Sequence, residues 1–269
     1  MLQHMTLDPF WVPFLLKIVA TAAVVITAAR TAERAGPFFG AIIACLPVSA
    51  GPSYVLLSLQ ASPSFIADSA LASAATSAGA ALYLAVYVLL APRAGVIATL
   101  ATALGIWLVS AVAIRAIHWT ALSVLILNVV AYGLAFLVTL SLEPTQPITR
   151  SERRWYDLPL MAAMVGLLVA GVTTLSAVLG PALTGIVAVF PVTFSSLGLI
   201  VHSRLGGRVV AATMAGAIRA MPGFALGLLV LNTLAVRAGP PLAMLAALAA
   251  MLAWSAGLIL LRLWAARTR

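Results

Sequence analysis

The chain has 269 residues, 64% of them hydrophobic and only 8% charged, with a mean hydropathy of +1.16. A water-soluble domain of this length cannot bury that much apolar surface, so its solvent must be lipid. The net charge of +9 and the pI near 11.1 do not point to nucleic acid, because the basic residues sit in short links between apolar runs, as in cytoplasmic membrane loops.

Apolar runs of spanning length fall at 10–29, 37–59, 65–91, 95–115, 119–142, 158–178, 181–203, 209–235 and 241–265. They predict an all-α polytopic membrane protein with nine transmembrane helices. No run alternates as a barrel strand would. The first run has the makings of a signal-peptide core. However, no Lys or Arg precedes it and it aligns with 158–178, so it is expected to be a retained helix. The longest link, Glu143 to Asp157, carries Pro144, Pro147, Arg150, Arg153 and Arg154 and reads as the seam between two halves. The single cysteine, Cys45, allows no internal disulfide and no cysteine metal site.

The halves repeat at a fixed offset of 144 residues. Gly36-Pro37 and Pro47-Val48 return as Gly180-Pro181 and Pro191-Val192. Trp11 falls on Trp155, Gly79 on Gly223, and Arg93-Ala94-Gly95 on Arg237-Ala238-Gly239. About a quarter of the positions from Gly36 to Gly95 are identical, without an insertion. The organisation expected is a first repeat at 1–118 (helices one to four), a linker helix and loop at 119–151 (helix five), and a second repeat at 152–269 (helices six to nine).

Basic residues set the orientation. With the N-terminus outside, the cytoplasmic links and tail carry Arg30, Arg34, Arg93, Arg150, Arg153, Arg154, Arg204, Arg208, Arg267 and Arg269, and the outer links carry only Arg115 and Arg237. That bias follows the positive-inside rule and places the C-terminus in the cytoplasm. With an odd number of spans between them, the repeats are inverted, related by an axis in the membrane plane. Two similar halves facing opposite ways can exchange conformations, and access then alternates between the two sides.

Pro47 and Pro191 each lie about ten residues into helices two and seven, near mid-depth at about 1.5 Å per residue. A helix-interior proline removes a donor and frees carbonyls that must face protein or water. Ser49, Ser53 and Tyr54 surround the first proline, and Thr193, Ser195 and Ser196 the second. Paired interrupted helices in two halves point to a midplane binding site. The other reading is plain kinks, with hydroxyls satisfying backbone. Arg219, about eleven residues into helix eight, costs at least ~2.5–3.5 kcal/mol to place there. It reads either as a clamp on an anionic solute or as a structural cation bound to carbonyls or Asp68. Its counterpart in the first half is Ala75.

Other polar residues have simpler expectations. Lys17 snorkels to the outer surface, and Asp68 caps or opens helix three. Asn128 and Asn232 join helices. Helix three offers a small-residue face in Ala70, Ser73, Ala74, Ser77, Ala78 and Gly79. His202, Arg204 and Arg208 orient the cytoplasmic end of helix seven. No Asp or Glu lies deep in a span, which disfavours coupling through a buried carboxylate. There is no nucleotide-binding loop, His-Glu metal motif or Gly-x-Ser-x-Gly elbow. No enzyme activity, cofactor, metal or nucleic-acid partner is expected.

The repeat unit, an apolar span followed by Gly-Pro and then a mid-helix proline, is similar to small bacterial inner-membrane proteins of the GlpM kind. The resemblance implies no substrate and no site residue. The architecture looks like that of inverted-repeat secondary carriers. The expected function is a secondary transporter or facilitator of a small organic solute, anionic if Arg219 clamps it, in a bacterial inner membrane. The alternative is a membrane scaffold, assembly partner or lipid-handling subunit. Self-association is left open.

Overall fold

A computed structural model describes residues 11–34, 50–140 and 156–267. Among them are nine helices and no strand: α1 Trp11–Arg34, α2 Ala50–Ser58, α3 Pro63–Leu90, α4 Val96–Arg115, α5 Ala121–Thr139, α6 Asp157–Ala188, α7 Val192–Leu205, α8 Gly207–Ala238 and α9 Pro240–Arg267. Six carry stretches long and apolar enough to cross a membrane: Pro63–Leu90, Val96–Arg115, Ala121–Thr139, Ala162–Ala188, Gly207–Ala238 and Pro240–Leu261. The chain is a helical, multi-pass membrane protein. The described part of α2 has 9 residues and α7 has 14, and the apolar stretch of α1 is Phe14–Ala23.

α3 is the centre. Of its most apolar window 78% is buried, against 22% for α4 and α5 and 17% for α9. Its composition explains this: Ala, Ser and Gly let neighbouring backbones approach. Ser62 caps it by accepting the Phe65 N–H at 3.2 Å, and Pro63 follows at the first helical position. Asp68 is therefore not the cap; it is exposed one turn further on. α5 is capped by Thr120 and Ser123, each side chain bonding the other's backbone N–H.

α3 and α8 pack along each other, and α5 lies against both. They are antiparallel, since Asn232 near the end of α8 bonds the Ala67 carbonyl near the start of α3 at 2.9 Å. Two core clusters result. One joins Ile66, Ala67, Ala70 and Ala74 to Leu228, Leu231 and Ala235. The other joins Leu84, Tyr87 and Ala91 to Val210, Ala211, Met214 and Ile218. Every residue in this first group lies 144 positions from one in the second. Helix starts keep the same offset, from Pro63 to Gly207 and from Val96 to Pro240.

The α6–α7 region matches the sequence expectation at residue 180 and differs from it at Pro191. A link was expected near residue 180, then one proline-bent helix over 181–203. The link is present: Gly180 is non-helical (φ 70°, ψ 172°), a conformation that side chains disfavour, so α6 is two helical segments meeting at a kink, and the second, from Pro181, ends at Ala188. After a break at Val189–Pro191, α7 begins at Val192, so Pro191 is its N-cap and not a helix-interior residue. Proline lacks the N–H to continue the ladder, and the Phe190 N–H folds back onto the Val187 carbonyl at 3.0 Å.

From Gly185 onward this segment tracks α3 in the same direction. Gly185 abuts Ser69, Ser195 meets Tyr83, His202 meets Tyr87, and Gly207 abuts Ala91. Residues 181–205 thus run beside α3, interrupted halfway.

Candidate functional site

The break is walled by α3. On one side of it Tyr54 of α2, Ser73 of α3 and Gly185 of α6 form a buried chain. Ser73 donates to the Gly185 carbonyl at 2.6 Å, so the Tyr54 hydroxyl, 2.7 Å from Ser73 Oγ, must be the donor to it. Ser53 and Tyr54 are both buried. Two further hydroxyls, Ser69 Oγ and Thr184 Oγ1, are wholly buried with no hydrogen-bond partner among the described residues.

On the other side, α7 presents Ser195, whose Oγ lies 3.3 Å from the Tyr83 hydroxyl. Tyr83 and Tyr87 are one turn apart on α3, with ring centroids at 5.9 Å. Tyr87 Oη is 3.3 Å from His202 Nδ1. Phe194 closes the group, 6.5 Å from Tyr83. Thr193, next to Phe194 in the chain, is half-buried. Ser196 turns back on its own helix, donating to the Val192 carbonyl at 2.6 Å.

Arg219 sits elsewhere. Its guanidinium carbon lies 5.4 Å from the centroid of the Phe136 ring on α5, a cation–π distance. Its backbone carbonyl accepts the Trp254 indole N–H of α9 at 3.0 Å. Pro47 and Ser49 lie outside the described residues. Of the expected site residues, Ser53, Tyr54, Pro191, Thr193, Ser195 and Ser196 therefore lie on the two elements that flank α3 at the break, and Arg219 lies on the α5–α8–α9 side.

The sequence reading missed Ser69, Tyr83, Tyr87 and Thr184 as site residues. A signal was present: hydroxyls at 69, 73, 76 and 77, then tyrosines at 83 and 87, fall at helical spacing along α3. Other polar groups are structural. Asn128 donates to the carbonyls of Ala74 and Val124 at 2.8 and 2.9 Å. Tyr132 donates to the Ser77 carbonyl at 2.8 Å. Lys17 is half-buried with Nζ 3.5 Å from Thr174 Oγ1.

A cleft of ≈ 560 Å³ lies between α3, α4 and α5, lined by residues such as Gly79, Leu82, Gly105, Val109 and Leu134. Its polar side chain, Ser110, is committed to the Trp107 carbonyl at 2.7 Å. This cleft offers nothing to orient a polar solute. No group of His, Cys, Asp or Glu suited to a metal ion occurs among the described residues. No protein-family model, curated protein or solved structure matches the chain.

Proposed function

We propose that this protein is a secondary transporter or facilitator of a small organic solute, built from two inverted repeats. The observation that carries the proposal is the break at Val189–Pro191 in the segment that tracks α3, flanked by buried hydroxyls. Interrupted helices leave backbone groups that must line a protein-walled cavity. The inverted repeat is supported by the antiparallel α3–α8 pair and by core clusters whose members exchange at the 144-residue offset. The solute would bind at Thr193, Ser195 and the Tyr83 hydroxyl, with Pro47, Ser49 and Ser53 as the counterpart from the other half. Rocking of one repeat against the other would open the site to each side in turn. The N-terminus would lie outside a bacterial inner membrane and the C-terminus in the cytoplasm.

Arg219 would be the anion clamp if the Phe136 contact yields to the solute. A second reading has one observation in its favour: stacking on Phe136 while its carbonyl holds Trp254 makes Arg219 a structural cation, as in a scaffold or assembly subunit. A thermal-shift screen against organic anions, amino acids and cations separates the two. The carrier reading expects a solute that stabilises the wild type and not a folded Arg219→Gln variant. If no solute stabilises the wild type and the variant merely melts earlier, the scaffold reading replaces it.

A further inference from the structure

We propose that Tyr87 and His202 form a proton-operated latch that holds α7 on α3 and closes the cytoplasmic side of the break. The inference rests on the transport reading and adds regulation to the same site. Between the break and the end of α7, two side-chain contacts join α7 to α3. Tyr83 Oη lies 3.3 Å from Ser195 Oγ, and one turn further along α3 Tyr87 Oη lies 3.3 Å from His202 Nδ1. The two rings of the second pair meet edge to face, with centroids 6.0 Å apart. Tyr87 is fully buried and His202 half-buried. The phenol lies directly on the α7 backbone: a Cβ on Gly198, one turn before His202, would come within 2.6 Å of Tyr87 Oη. The backbone of Ala94, in the link between α3 and α4, hydrogen-bonds the imidazole as well.

The protons can be placed. A buried phenol has to donate its hydrogen, and the acceptor for Tyr87 among the described residues is His202 Nδ1. Nδ1 therefore carries a lone pair, and the imidazole is neutral with its hydrogen on Nε2. Protonating Nδ1 sets two donors against each other. The phenol oxygen can then accept only by turning its own hydrogen into a buried place with no acceptor among the described residues. Charging His202 thus weakens the contact that neutral His202 makes, and imidazoles commonly change charge between about pH 5 and 8. The charged residues on the surrounding elements are Arg93, one residue before Ala94; Arg204 on α7, its guanidinium carbon 5.9 Å from the Tyr156 ring centroid; and Arg208 at the start of α8. Asp157 begins α6, next to Tyr156 in the chain. α4, α7 and α8 carry no Asp or Glu, and Asp68 lies at the opposite end of α3, so these four helices offer an imidazolium no ion pair.

The repeat makes the latch one-sided. At the 144-residue offset, the counterparts of Tyr87, Gly198 and His202 are Leu231, Tyr54 and Ser58. Leu231 offers no hydroxyl, Tyr54 is committed to Ser73, and Ser58 donates to the Val55 carbonyl of its own helix at 2.7 Å. None of the three titrates near neutral pH. Two halves that face opposite sides thus differ at this contact, and the titratable one lies on the side that the basic residues place in the cytoplasm. A proton on His202 would release α7 from α3 and favour the state open to the cytoplasm, so that cytoplasmic pH sets how the carrier is poised.

The test uses inside-out vesicles of the full-length Cys45→Ser protein, whose cytoplasmic side faces the bath. The rate at which a membrane-impermeant methanethiosulfonate labels Thr193→Cys is measured between about pH 5.5 and about pH 8. Dividing by the rate for Arg267→Cys, at the end of α9, removes the pH dependence of the thiol itself. With His202 and Tyr87 intact, the ratio should rise about three- to ten-fold on acidification, the effect of losing one buried hydrogen bond. His202→Gln, which accepts the phenol hydrogen at any pH, should hold the ratio low throughout. Tyr87→Phe should hold it high throughout. A ratio that ignores pH with both residues intact overturns the latch, and so does pH dependence that survives His202→Gln or a Tyr87→Phe ratio that stays low. If Tyr87→Phe fails to fold, the comparison with His202→Gln still decides. Labelling of Thr193→Cys from both sides without pH dependence leaves the carrier reading standing and removes the latch alone. Labelling from neither side at any pH overturns both.

Discussion

Asn232 donates a 2.9 Å hydrogen bond to the carbonyl of Ala67, tying the last turns of α8 to the first turns of α3. The two helices that begin 144 residues apart therefore run in opposite directions along a shared core. An amide bridging helices in lipid contributes about 0.6–2 kcal/mol. Asn232→Leu should lower Tm by a few degrees without changing topology, and a double-mutant comparison with a surface substitution checks that the loss is local. An unchanged Tm would mean that apolar packing alone holds the α3–α8 pair.

Gly223 and Gly79 occupy equivalent places, and so do their contacts. A Cβ on Gly223 would come within 2.6 Å of the Trp254 ring, and one on Gly79 would meet Ser110, 144 residues before Trp254. Overpacking costs about 1–3 kcal/mol. Ser110 can turn its hydroxyl aside more cheaply than Trp254 can move a ring bonded to the Arg219 carbonyl. Gly223→Ala should therefore destabilise more than Gly79→Ala, and Trp254→Ala should recover part of the loss in the double variant. Melting curves of the four proteins in one detergent test this.

Backbone contacts are stricter still. Cβ atoms on Gly185 and Gly207 would strike the carbonyls of Ser69 and Ala91, which no rotamer change can clear. Gly185→Ala and Gly207→Ala should reduce the folded yield, read as the monodisperse peak on size-exclusion chromatography. Gly105→Ala and Gly216→Ala, with open space around them, should be near neutral.

Tyr132 and Ser77 exchange two 2.8 Å bonds, with the tyrosine donating to the Ser77 carbonyl and the serine to the phenol oxygen. Both side chains are buried. Tyr132→Phe should cost about 1–3 kcal/mol, because the buried serine loses its acceptor. A Tm equal to wild type would show that Ser77 finds another carbonyl.

Much of the architecture was legible because lipid permits few solutions. The apolar runs located most of the described helices to within a few residues, and the expected boundary at Gly180 is the kink that divides α6. That boundary has a local cause. Gly-Pro reads as a stop, and here glycine at positive φ ends one helical segment while proline at a first helical position starts the next directly. Pro191 was legible as an interruption, and its form, a full break with proline as the cap, was not, because that depends on Val187 accepting the returning N–H. Ser195 and Tyr54 stood out through nearby prolines. Ser69 and Thr184 did not, since which hydroxyls lack a partner is decided by packing between α3 and α6. Arg219 was visible as a costly charge, but its stacking on Phe136 depends on where α5 lies.

The most direct measurement is two-sided thiol labelling at the break. In a Cys45→Ser background, a cysteine at Thr193 is probed with membrane-impermeant reagent in right-side-out and inside-out vesicles. Arg115→Cys and Arg208→Cys serve as outer and cytoplasmic markers. The account predicts that Thr193→Cys is labelled from both sides while each marker is labelled from one. Labelling of Thr193→Cys from neither side, with both markers behaving as expected, would contradict alternating access at this break.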